Sequence, residues 1–117
     1  MGFPPFVAFA RMTAADNPQA VSRAEGLTIL TQAGAVAEFA EREKGRLKPG
    51  MLADLIVLSH DVTVVPTADL PKTRSLLTLV GGKIAYSSGE FASWRAPTSG
   101  QTVTAASVRP AAPKMRR

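Results

Sequence analysis

The chain contains no cysteine. That absence excludes a disulfide framework, a thiolate metal centre and a cysteine nucleophile together. Histidine is nearly absent as well: His60 stands alone, and no H-x-H pair exists. A nucleophilic triad would have to use His60 as its base, and no G-x-S-x-G elbow accompanies it. Neither a phosphate-cradling loop nor a dinucleotide fingerprint occurs. Long apolar runs are missing too. The N-terminal stretch Phe3-Pro4-Pro5-Phe6-Val7-Ala8-Phe9-Ala10 is far shorter than the roughly 20 residues that span a bilayer. It also lacks the basic start of a secretory leader, so no membrane association is expected, and a cysteine-free chain is compatible with the cytoplasm.

The formal charge of +5 invites a nucleic-acid reading, so its location matters. Residues 97–117 carry Arg109, Lys114, Arg116 and Arg117 with no acid, while residues 1–96 hold ten basic residues against nine acidic ones. The part that can fold is nearly neutral. No aromatic residue interleaves the basic tail, which leaves no stacking platform for single strands. Specific nucleic-acid binding is therefore not expected.

A chain of 117 residues that is 45% hydrophobic can build one small domain with a modest core. The predicted fold class is α+β: two helices, then a small antiparallel sheet, then a disordered tail. The boundaries read as an apolar arm and loop over 1–19, a helical segment over 20–45, a sheet segment over 46–92 and a basic tail over 93–117. The arm is expected to be extended, with Phe3, Phe6, Val7 and Phe9 seeking burial.

Ser22-Arg23-Ala24-Glu25 is a capping box, because Ser22 can accept the N–H three residues on while Glu25 reaches back. Ala24, Leu27 and Leu30 are the expected inward stripe of the helix that follows. A break is expected near Gln32-Ala33, then a second helix over Gly34–Glu43 with Ala35, Val36, Phe39 and Ala40 facing inward. Glu38, Glu41 and Glu43 read as a solvated face, and Gly45 falls where a helix cap belongs.

The most informative stretch is Lys44-Gly45-Arg46-Leu47-Lys48-Pro49-Gly50-Met51-Leu52-Ala53-Asp54-Leu55-Ile56-Val57-Leu58. Its glycines and proline force a tight, reversing connection. Leu55–Leu58 reads as a strand covered on both faces. Asp54, at its entrance, can accept backbone N–H groups of the turn. Further on, Gly81-Gly82 between two β-prone runs signals a hairpin, since tight hairpin turns need positive φ. Phe91 and Trp94 are expected to pack back on the sheet.

The stretch from Lys44 to Leu58 resembles the K-G-x-L-x-P-G-x-x-A-D-L-x-V-L signature near the C-terminus of metal-dependent amidohydrolases. Thr78–Tyr86 resembles the terminal hairpin of the same proteins. Glu25-Gly26-Leu27 through Thr31, Gly34-Ala35 and Phe39 is similar to a pattern of amidohydrolase family 3, with Gly26 in place of the usual alanine. The resemblance covers roughly residues 3–87. It implies that the helices end a catalytic barrel and that the strands belong to a small β-sandwich beside it. Since a barrel typically needs about 250 residues, the chain looks like the C-terminal part of such an enzyme.

The complete enzymes hydrolyse carbon–nitrogen bonds other than peptide bonds, using water activated by a divalent metal, with zinc the expected ion. Their ligands are an H-x-H pair, a bridging lysine or carboxylate, further histidines and an aspartate at the last barrel strand. His60, Asp54 and Asp61 match none of these. No catalytic, cofactor-binding or metal residue is therefore expected in this chain. The implied partners are the missing N-terminal portion or a second copy of the chain. The alternative is a stand-alone interaction module with no catalytic activity.

Overall fold

The computed structural model describes residues 4–95. Phe3, the rest of the first three residues and the tail from residue 96 lie outside the described residues. Helices precede a three-stranded antiparallel sheet, as the α+β reading expects.

The first element corrects the sequence reading. Pro5–Met12 is an α-helix, α1, not an extended arm. Pro4 caps it and Pro5 fills its first turn, where a missing N–H costs nothing and a fixed φ is already helical. Phe6, Phe9 and Ala10 then share one face at three- and four-residue spacing. Phe9 and Ala10 are buried and Phe6 is half-buried against the same core. The helix closes where the Thr13 N–H and hydroxyl both donate to the Phe9 carbonyl, at 3.2 and 2.8 Å.

The capping box forms as read. The Ser22 N–H and hydroxyl each donate to Glu25 Oε2 at 2.8 Å, and the Glu25 N–H donates to Ser22 Oγ at 3.2 Å. Helix α2 runs Arg23–Thr28 and passes through a π-helical turn, Ile29–Ala33, into α3, Gly34–Ala37. The expected break is therefore absent, and the helical run is continuous from Arg23 to Ala37. Gly34 is helical, and nothing lies within 4 Å of where its Cβ would be.

The second helix also stops earlier than expected, at Ala37. Phe39 adopts a left-handed φ of 59°, its N–H donates to the Val36 carbonyl at 3.0 Å, and the Ala40 N–H donates to the Ala35 carbonyl at 2.8 Å. This pair of bonds is a Schellman stop, usually built on glycine.

The buried face differs too. Gly26 and Ala35 are buried and Leu27 is half-buried, whereas Ala24, Leu30, Val36 and Phe39 are exposed. The cause is the Phe9 ring. It lies so close to Gly26 that a Cβ there would sit 2.8 Å from Phe9 Cε2, which turns the Gly26 side of the helix inward. Arg23 then reaches across the interface and donates to the carbonyls of Val62 (3.0 Å) and Val65, with Thr67 Oγ1 at 3.3 Å.

The connection to the sheet is a chain of turns. Lys48–Met51 is a type II turn, with Pro49 second, Gly50 third at φ 87°, and the Met51 N–H donating to the Lys48 carbonyl at 3.1 Å. Strand β1 is Leu55–Leu58, β2 is Ser75–Val80 and β3 is Lys83–Ser87, in the order β1-β2-β3. Gly81 and Gly82 both have positive φ, which gives the twist that a two-residue hairpin needs. A bulge at Leu76 shifts the β1–β2 register between Val57 and Leu58.

Strand β1 is not covered on both faces. Ile56 points outward at 56% exposure, in one row with Thr78 and Tyr86. The inward face joins Leu55, Val57, Leu77 and Leu79, closed by Phe91 and Trp94 as expected. A second cluster lies under the helices: Phe9, Ala10, Val62 and Leu70, flanked by Phe6, Met12, Leu27, Leu58 and Val65. A 3-10 helix, Thr67–Lys72, contributes the fully buried Leu70.

Candidate functional site

The residues that could carry chemistry are positioned by the turns around the sheet. Asp54 stands at the entrance of β1, beside the Gly81-Gly82 hairpin tip. Its Oδ1 accepts the Gly81 N–H at 2.7 Å, and the neighbouring Ala53 carbonyl accepts the Gly82 N–H at 3.0 Å. The acceptor role read from the sequence is thus real, but the donor belongs to the distant hairpin instead of the turn beside it. Asp54 fastens the two signature stretches to each other.

His60 follows β1 and is half-buried, with Nδ1 3.1 Å from Ser59 Oγ. The same Ser59 hydroxyl oxygen accepts the Arg74 N–H at 3.0 Å, so this serine stitches the ends of β1 and β2. Asp61 closes a short turn by accepting the Thr63 hydroxyl and N–H, the latter at 2.9 Å. These bonds, the hydroxyl first, hold the Asp61 carboxyl below its usual range. The Lys72 ammonium, 2.8 Å from Asp69 Oδ1, lowers that carboxyl and is itself raised by it. Glu38 pairs with Lys44 across the helix stop and raises the lysine. Asp61 is thus committed to a local turn, Asp54 to the hairpin, and Asp69 and Glu38 each to a lysine. Glu38, Glu41 and Glu43 are exposed, as expected, although the residues lie in turns instead of on a helix.

Ser22 also holds the Glu25 carboxyl below the ordinary glutamate value, through its N–H first and its hydroxyl second. A carboxyl depressed in the folded state stabilises above its unfolded pKa and loses that contribution as pH falls through the folded one. Urea midpoints should therefore fall as the pH is lowered from about 6 to about 3, and Glu25→Gln should flatten that slope. An unchanged slope in the variant would mean that the capping carboxylate is not titrating in this window.

Among the described residues, no group of three or more histidine, cysteine, aspartate or glutamate side chains could hold a metal ion. Structural roles were the ones the sequence left unread: Arg23, whose only signal is a cation just after the helix cap, and Gly26, visible as a departure from alanine.

A helical pair joined through a glycine-proline turn to a small antiparallel sheet describes a scaffold unit. The amidohydrolase family model matches residues 6–86, and the chain belongs to that family. No curated protein and no solved structure matches it. The matched span runs from α1 through the hairpin, so it takes in both hydrophobic clusters except Phe91 and Trp94. The family's metal chemistry needs several convergent imidazole and carboxylate donors. The donors among the described residues do not fit that requirement, and no hydrolytic step is derived from them. No helix among the described residues is long and apolar enough to cross a membrane.

Proposed function

We propose that this chain is the C-terminal portion of an amidohydrolase and acts there as a scaffold. In this reading residues 20–45 end a barrel-like domain, residues 46–92 supply strands to a β-sandwich, and residues 1–19 lead into the helices. The complete enzyme would hydrolyse a carbon–nitrogen bond outside peptides, in the cytoplasm, with a divalent ion such as zinc held by the N-terminal portion. The observation that carries the proposal is the family match over residues 6–86 in a chain whose described residues assemble no donor cluster. The outward row Ile56, Thr78 and Tyr86 supports it, because an exposed sheet face of this kind suits a covering layer.

The test is reconstitution. A polypeptide carrying the barrel and its H-x-H pair, encoded upstream or separately, is co-expressed with this chain. The expected result is a stable complex that binds divalent metal and hydrolyses N-acyl amides, while this chain alone does neither. Failure to capture such a polypeptide, together with a cooperatively melting monodisperse monomer, would instead favour an independent module.

A further inference from the structure

We infer that residues 38–44 form a two-state latch. In the structure they fold back, so that Gly45 and Arg46 clasp the helical run; in a minor second state they continue the helix from Ala37 to Lys44. The inference does not depend on the amidohydrolase reading.

The stop at Ala37 runs against its own sequence. Glu38-Phe39-Ala40-Glu41-Arg42-Glu43-Lys44 contains no glycine, proline or β-branched residue, and all but Phe39 are strong helix formers. The segment is nevertheless a series of turns and bends, entered through Phe39 at a left-handed φ of 59° that a bulky side chain resists. Phe39 is 93% exposed, so its own packing does not hold it there. Local preference and observed backbone disagree, and contacts from further along the chain decide between them. A Cβ on Gly45 would sit 2.8 Å from Ala35 Cβ, so this turn lies hard against the helix. Arg46 Nε donates to Gln32 Oε1 at 2.9 Å, and the Leu52 N–H donates to the Glu43 carbonyl at 2.7 Å.

The second state replaces these contacts with others. A helical side chain leans back over the residue four before it, so Phe39 would cover Ala35, the surface that Gly45 leaves. Glu38 now pairs with Lys44, six residues on, a spacing that a helix does not bring together. In the longer helix Glu38 would face Arg42 at i+4, and Glu41 would face Lys44 at i+3. Neither Glu41 nor Arg42 forms an ion pair among the described residues in the folded-back state. Gly45, already at φ 94°, would follow the last helical residue, where a left-handed glycine ends a helix. The connection is long enough. Gly45 would move about 20 Å along the axis from beside Gln32. Opening the loop that the Leu52–Glu43 bond closes would release nine residues, a reach of about 30 Å.

The experiment is NMR relaxation dispersion on the full 117-residue chain. The amides of Gln32 and of residues 38–46 should exchange together at one rate, with a minor state of about 1–10% whose Cα shifts over residues 38–44 are helical. Phe39→Gly, which removes the left-handed penalty and weakens the helix, should lower that population at least about tenfold. Arg46→Ala, which removes the clasp on Gln32, should raise it about two- to tenfold. Absence of exchange in both the wild type and Arg46→Ala overturns the inference. So does a minor state with unstructured shifts over residues 38–44, which is fraying and not a second fold, and so does a population that Phe39→Gly leaves unchanged.

Discussion

Gly45→Ala is expected to destabilise the fold by about 2–4 kcal/mol, the sum of a left-handed penalty and a steric one. Gly45 has φ 94°, and a Cβ there would lie 2.8 Å from Ala35 Cβ and 3.3 Å from both Gln32 Cα and the Thr31 carbonyl oxygen. Two of those neighbours are helix backbone and cannot move aside cheaply. Gly50→Ala is the control. Its φ is 87°, but nothing lies within 4 Å, so only the conformational penalty of about 1–2 kcal/mol should appear. Urea unfolding measures both, and a shift of roughly 1 M or more in the midpoint is expected for Gly45→Ala. Equal shifts in the two variants would show that the helix does not press against this turn.

Phe9→Ala should be costlier still, by about 3–5 kcal/mol, because a fully buried ring leaves a cavity that its neighbours fill poorly. Phe9 is 1% exposed and packs with Val62, Leu70 and Leu27, so it joins α1, α2 and the loop after β1. A domain of this size has a total stability of roughly 5–15 kcal/mol, so a large share would be lost.

The ring also explains Gly26, through a sign change. In the wild type, Gly26→Ala forces a Cβ to 2.8 Å from the ring, which should outweigh the gain of about 1 kcal/mol in helix propensity. In a Phe9→Leu background the obstruction is gone, and the same substitution should stabilise. A double-mutant cycle reads that coupling directly. Additive effects would mean that the ring does not determine the residue at position 26.

These contacts show which features a single sequence can convey. The capping box, the Pro49-Gly50 turn, β1 and the Gly81-Gly82 hairpin were legible because each is fixed by its own residues. Asp54 was legible as an acceptor, but its donor 27 residues away was not. Helix α1 was misread because two prolines look extended until the second is placed in the first turn of a helix. The Phe39 stop was illegible for a stronger reason, since it violates the preference for glycine that would announce it. The rotation of α2 depends on a tertiary neighbour, Phe9, and no periodicity within the helix encodes that. On the functional side, the solitary histidine and the Lys44–Leu58 signature were the informative features. The first argued against a donor cluster, and the second pointed to the family that the match over residues 6–86 establishes.

The scaffold assignment is tested most directly by the metal content of the purified 117-residue chain, measured together with turnover on a panel of N-acyl amides. Substoichiometric metal and no turnover are expected, with neither altered by His60→Ala. One tightly held divalent ion per chain, with turnover abolished by His60→Ala, would contradict the assignment and place a metal centre at the end of β1.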